Sequence, residues 1–457
     1  MRASFTGIQL LHAVLASLVL ASCALPYLGT GEGGLQRADP AQARQSAWQQ
    51  AEIERLVETG LASLTKTAIA LPGPGQTPSP QPSATPAPTQ TPTLTPSPVP
   101  TDTPQPSPSP TASSTSPPES ARLSGFIHLY QNMNNCGPAA LAMALSYWGW
   151  PEDLEDFIRD GRQRDLQDAI AQALKPEPQD KSVGPHELAD YVERATPLKA
   201  LVRAGGDLET LKRFIAAGLP VIVQRGLDSY VWLGHYQVVS GYDDARQLFY
   251  VYDSYLGPST AIPTRYQELL QDWRAFNYTY LALYAAEREP GLASILGEQL
   301  DIEQNRLSAV GLARDELPGL AGRDLFFGWY NLGTSLVELE HYPAAAEAFD
   351  QAFSIYKDLP LEGRPWRMLW YQTGPYPAYY HTARYAELQG LASRTIEEAY
   401  EPQKPGGPFI EESFYWRGMA FAAQAQTAEA ILDFRKALEL NPLFAPPQEE
   451  LRRLGSE

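Results

Sequence analysis

Cysteine is nearly absent from this chain, with two residues in 457. That scarcity excludes a disulfide-rich scaffold and any zinc site built on several thiolates. Basic residues are also short, 35 Lys and Arg against 53 Asp and Glu, for a formal charge of −18. Such a chain lacks the basic surface that displaces counterions from phosphates, so no nucleic acid partner is expected. The apolar run from Ile8 to Ala21 is shorter than the about 20 residues that span a bilayer. The sequence holds no G-x-S-x-G elbow, no H-E-x-x-H zinc helix and no G-x-x-x-x-G-K phosphate cradle. No cofactor and no metal are implied.

What is abundant is proline, 41 residues, of which 17 fall between Pro72 and Pro118. That stretch is almost entirely Pro, Thr, Ser, Gln and Ala, cannot bury a core, and is expected to be disordered or extended. At about 3.1 Å per residue it reaches on the order of 100–150 Å, a spacer. Residues 40–71 before it carry Ile53, Leu56, Val57, Leu61, Leu64 and Ala68 at helical spacing, an amphipathic stretch. The chain opens with Arg2, the apolar run and then Leu20-Ala21-Ser22-Cys23. This looks like a bacterial lipobox, which implies cleavage before Cys23 and lipidation of its sulfur and amine. The expected location is extracytoplasmic, anchored by lipid to the bacterial cell membrane or an outer membrane.

The second cysteine sits in GFIHLYQNMNNCGPAALAMALSYWGW. Ala140, Leu141, Ala144, Leu145 and Trp148 keep the helical period, and proline favours the first helical turn. Cys136 is thus predicted at a helix N-terminus, where free N–H groups and the dipole favour a thiolate. Gln131, five residues earlier, is placed to aim an amide N–H at an oxyanion beside the sulfur. A thiol nucleophile needs a base. Of six histidines, His12 lies in the signal and His341 and His381 lie in the C-terminal helices. His186 reads as a surface residue near a helix cap, and His128 falls on an expected strand before the cysteine. His235 opens the alternating strand HYQVVSGYDD, which turns at Asp243-Asp244 and returns as QLFYVYDSYLG. Paired as a hairpin, His235 and Asp253 fall at the same open end, giving the order Cys136, His235, Asp253 with separations of 99 and 18.

QNMNNCGPAALAMALSYWG, GHYQVVSGYDD and VYDSYLG resemble the three blocks of the bacteriocin-processing (C39-like) peptidase family, over about residues 121–288. The resemblance implies a papain-like cysteine peptidase fold with Cys136 as nucleophile, His235 as base and acid, Asp253 as orienter and Gln131 completing the oxyanion hole. Family members fused to transporters cut leader peptides after a double glycine; this chain shows no transporter span, so that substrate does not carry over.

Helices are predicted near 153–159, 164–174, 185–194 and 207–217, and strands at 198–203, 219–225, 235–242, 247–253 and 277–284. This is an α+β domain with an antiparallel sheet. Tyr230 and Trp232 either line a substrate cleft or cover the sheet. From about residue 320 two segments align at tetratricopeptide spacing. One holds Trp329, Leu332, Gly333, Leu336, Ala345, Phe349 and Ala352, the other Phe414, Gly418, Phe421, Ala430, Phe434, Ala437 and Pro442. A weaker unit lies around Tyr379, Tyr385, Leu388 and Ala392, and residues 293–317 supply a preceding helix. This all-α region resembles the tetratricopeptide family, which implies a surface for a protein partner; a cap that stabilises the peptidase domain is the competing reading.

The expected organisation is a signal peptide (1–22), an anchor segment (23–71), a linker (72–120), the papain-like domain (121–288) and helical repeats (289–457). The expected function is surface-anchored hydrolysis of a peptide or protein substrate. Its rivals are a non-catalytic peptide-binding module of the same fold and an acyl transferase using the same thiol.

Overall fold

The computed structural model describes residues 116–175, 180, 183–228, 232–400 and 407–456. Cys23, the amphipathic stretch, most of the proline-rich linker and Tyr230 lie outside the described residues. Among the described residues no helix is long and apolar enough to cross a membrane.

The described residues belong to one compact unit. Its N-terminal half is a seven-stranded antiparallel sheet between two layers of helices. The strands are β1 (Ser120–Arg122), β2 (Leu198–Arg203), β3 (Val221–Asp228), β4 (Trp232–Asp243), β5 (Leu248–Asp253), β6 (Ile262–Arg265) and β7 (Tyr280–Ala285). Their order is β2-β7-β3-β4-β5-β6, and β1 pairs with β4 beyond the end of β3. Helices α1 (Cys136–Tyr147), α2 (Leu154–Arg159), α3 (Arg164–Leu174) and α4 (Pro185–Ala195) come before the main run of strands. Helices α5 (Leu208–Ala216) and α6 (Tyr266–Arg274) lie between strands, and α7 (Glu289–Leu296) follows the last one.

The strand period decides which layer each residue meets. Ile222 of β3 packs with α1, α3 and α4 through Leu141, Ile170 and Leu188. Val221 and Val223 on the other face meet Phe214 of α5, Leu269 of α6 and Leu292 of α7. Covered on both sides, β3 and β4 are buried along almost their whole length, polar Gln224, Arg225, His235 and Gln237 included. The sequence reading missed β6 and α6, and it placed His128 on a strand. Residues 123–130 form no strand; they cross the sheet end, tied by hydrogen bonds such as Leu123 N–H to the Ser240 carbonyl at 2.7 Å.

The C-terminal region is all-α: α8 (Ile302–Glu316), α9 (Gly322–Glu338), α10 (Tyr342–Asp358), α11 (Met368–Tyr371), α12 (Pro375–His381), α13 (Tyr385–Glu398), α14 (Glu411–Ala423), α15 (Thr427–Leu440) and α16 (Pro446–Arg453). The two strong repeats are α9/α10 and α14/α15, and they close by the same device. A Cβ on Gly333 of α9 would lie 2.7 Å from the Phe349 ring of α10, and one on Gly418 of α14 would lie 2.7 Å from the Phe434 ring of α15. Glycine is required here because the phenylalanine of the second helix occupies the space of a side chain on the first. Gly418→Ala is expected to cost about 1–3 kcal/mol through overpacking, read as a lower urea midpoint with unchanged m-value.

The two halves share a core. Trp232 of β4 and Ala275 and Phe276 after α6 are buried in one cluster with Val310, Phe326, Phe327, Tyr330 and Phe349 of the helical region. Trp232 thus does not line a cleft; its ring stacks 5.9 Å from Phe276 and meets Tyr371 of α11. Hydrogen bonds run across the same junction, from Asn331 Nδ2 to the Arg274 carbonyl (2.7 Å) and from Gln372 Nε2 to the Ala275 carbonyl (2.9 Å).

Candidate active site

Cys136 is the first residue of α1, half-buried and with a free thiol. The turn before it is set by Asn134 in the left-handed region (φ 57°) and by the Asn135 N–H donating to the Asn132 carbonyl at 3.1 Å. Asparagine tolerates that backbone better than most residues, which is why the chain can turn so tightly into the helix. Gly137 follows against the Tyr236 ring, which a Cβ there would touch at an ordinary 3.4 Å.

His235 and Asp253 meet because β4 carries a bulge. Asp253 pairs with Gln237, and the ladder shifts by one residue between Val239 and Gly241. Without the extra residue Asp253 would face Val238 and point to the opposite side of the sheet from His235. With it, Asp253, Gln237 and His235 share one face. The His235 Nε2 lies 3.1 Å from Asp253 Oδ1, and Cys136 is close enough to the imidazole to favour its protonated form. Cys136, His235 and Asp253 therefore form one chain of neighbours.

Asp253 is wholly buried and well supplied with donors. Its Oδ1 also accepts from the Tyr255 and Leu256 N–H groups, both at 2.7 Å, and its Oδ2 from Gln237 Nε2 at 2.5 Å. Burial alone would raise its pKa; His235 and these donors overcome that and hold the carboxyl well below the usual carboxylate range. Burial likewise opposes charge on His235, but Asp253, with Cys136 adding to it, raises the imidazole to about 9. The two shifts fix a pH window. His235, raised from 6.5, stabilises the fold fully below about pH 6.5 and loses that contribution as pH rises through about 9. Asp253, lowered, stabilises it above its ordinary value of 3.8 and loses that contribution as pH falls below. The stability gap between wild type and Asp253→Asn is therefore expected to be widest near pH 5–6 and to shrink towards pH 10, read by urea denaturation across pH.

Gln131 stands beside this chain. Its N–H donates to the Ser254 carbonyl at 2.8 Å, and its Oε1 accepts from the Ser254 hydroxyl at 2.9 Å. With the amide oxygen so held, Nε2 is the end of the group that faces elsewhere. Sequence reasoning missed Ser254, Gln237 and Arg225. Gln237 receives a 3.0 Å hydrogen bond from Arg225 Nη1, and Arg225 is paired in turn with Asp272. Their signal was the strand period, since Gln237 is two residues from His235 and so on its face. His128 holds the Asp253 carbonyl through Nε2 at 2.7 Å, a backbone tie apart from the side-chain chain. His186, His341 and His381 are exposed, the last stacked on Tyr342.

The helical region reaches this site. Tyr371 lies against Gly234, the residue before His235. A Cβ on Gly234 would lie 2.6 Å from Phe276 and 3.1 Å from Tyr371, so glycine there admits the helical wall beside the imidazole. Among the described residues no group of three or more His, Cys, Asp or Glu side chains forms a metal cluster.

Residues 124–281 match the model of the Peptidase C39-like family, and residues 411–442 match that of the tetratricopeptide repeat. The chain carries a C39-like peptidase domain followed by an all-helical region with a tetratricopeptide repeat. It is similar to a solved chain described as a C39-like peptidase from Bacillus anthracis, at 18% identity over 36% of this chain and 97% of that one, with a TM-score of 0.29. No curated protein matches the chain.

Proposed function

We propose that this protein is a surface-anchored cysteine peptidase that hydrolyses peptide bonds through Cys136, His235 and Asp253. The observation that carries the reading is the buried His235–Asp253 pair, 3.1 Å apart, with the Cys136 thiol at the head of α1 as its neighbour. His235 takes the thiol proton, and the sulfur adds to the peptide carbonyl. Gln131 Nε2 and the Cys136 N–H hold the oxyanion, and the imidazolium held by Asp253 donates its proton to the leaving amine. Water, activated by the same imidazole, then releases the acyl group. Cys23 supplies the lipid anchor and the proline-rich segment the spacer. The helical repeats bind a protein partner or substrate and form one wall of the site.

The test is a diverse peptide library incubated with the protein, before and after alkylation of Cys136, with products identified by mass spectrometry. Hydrolysis products are expected only before alkylation. If peptides bind and none is cut, the domain is a binding module; if products appear only joined to an added amine, it is an acyl transferase.

A further inference from the structure

Lys175, the residue that ends α3, is only 2% exposed. A buried lysine costs free energy unless its charge is matched and its protons find acceptors. Its Nζ donates to the Asn134 carbonyl at 2.9 Å and approaches the Asp180 carbonyl at 3.5 Å. Asn134 is the left-handed residue of the turn that enters α1, two positions before Cys136. The ammonium thus lies under the nucleophile's own turn. Burial lowers the Lys175 pKa from its ordinary value, while the charges that face it, Asp180 and Cys136 itself, oppose that and favour its protonated form. Around Cys136 the titratable neighbours are His235, Lys175, Tyr236 and Tyr371. The two tyrosines have their pKa values raised, chiefly by burial, and stay neutral; the carboxylate of Asp253 sits behind His235.

We propose that Lys175 is a positioning residue for the cysteine chemistry, a second buried cation that fixes the Asn132–Asn135 turn through the Asn134 carbonyl and favours negative charge on the Cys136 sulfur. The inference rests on the reading of Cys136 as the nucleophile. Lys175 touches no substrate and acts through the turn and through the field at the sulfur. His235 lies on the sheet and Lys175 at the end of a helix, so the sulfur has a cation on each of two different elements. A charge as buried as that of Lys175 acts more strongly than it would at the surface.

The test is the rate of iodoacetamide labelling of Cys136 in the full-length chain, followed by mass spectrometry of the Cys136 peptide from pH 5 to pH 10. Lys175→Gln keeps an N–H donor for the Asn134 carbonyl and removes the charge; Lys175→Met removes both. In each variant labelling at pH 6 is expected to fall about tenfold relative to wild type, and at pH 9.5 to stay within about twofold, the pattern of one pH unit of lost charge stabilisation. A purely structural residue would lower the melting temperature and leave that pH profile in place. A folded variant whose profile overlays wild type overturns the proposal, and so does failure of both variants to fold, which makes Lys175 structural. Wild-type labelling with the profile of an ordinary thiol, insensitive to His235→Ala, would instead overturn the proposed function itself.

Discussion

Cys136→Ala is expected to reduce peptide hydrolysis by about 10⁴-fold or more, to the residual rate that the oxyanion donors and substrate binding alone support. The sulfur is the only group at the site that forms the acyl bond, and alanine leaves no atom to do so. His235→Ala should cost nearly as much, because nucleophile and base act as a unit and their losses do not add. Gln131→Ala should cost less, about 10²-fold in kcat, since the Cys136 N–H remains to hold the oxyanion. The double variant Cys136→Ala/His235→Ala is then expected to be no worse than Cys136→Ala alone. The measurement is kcat/KM on a peptide found in the library screen. A Cys136→Ala protein that retains a tenth of the wild-type rate would sink the mechanism.

The second large effect concerns the helical region. A fragment ending at residue 288 would expose Trp232 and Phe276, which are 4% and 1% exposed in the whole chain. Each aromatic ring buries roughly 150–250 Å²; with about half of that exposed by loss of the helices, the cost is roughly 2–3 kcal/mol per ring. For the two rings together that is comparable with the lower end of the about 5–15 kcal/mol by which a domain is stable at all. The fragment is expected to aggregate or to melt far below the parent, measured by circular dichroism and size-exclusion chromatography. Removal of Tyr371 would also uncover Gly234 beside His235, so any soluble fraction should be inactive. A monomeric fragment with the parent's melting temperature would show that the helices are an independent module. The shared core favours the cap, and a cap built from tetratricopeptide-like pairs still presents surface to a partner.

Much of this was legible from local pattern. The helices at 164–174 and 185–195 were visible as amphipathic periods, and the entry of Cys136 into a helix followed from Gly137-Pro138 and the apolar residues after it. The hairpin carrying His235 and Asp253 was readable because its strands alternate around a polar turn. Its bulge was not, since Ser240 carries no local mark and a one-residue slip reverses every face. Lys175 was hidden for a similar reason: a lysine at a helix end reads as solvated, and only the packing of α3 against the Cys136 turn buries it.

What the sequence by itself determined is a set of parts: a thiol at a helix head, a histidine and an aspartate on a hairpin, and helical pairs closed by glycine on phenylalanine. Those features rest on residue type and short-range period, which the chain carries locally. What only the tertiary structure decided is how the parts act together. The bulge brings Asp253 to the face of His235, Ser254 and Arg225 orient the polar groups around them, and α11 sets Tyr371 beside Gly234. Such relations depend on register and on contacts between residues about 100 positions apart or more, and no local pattern encodes them.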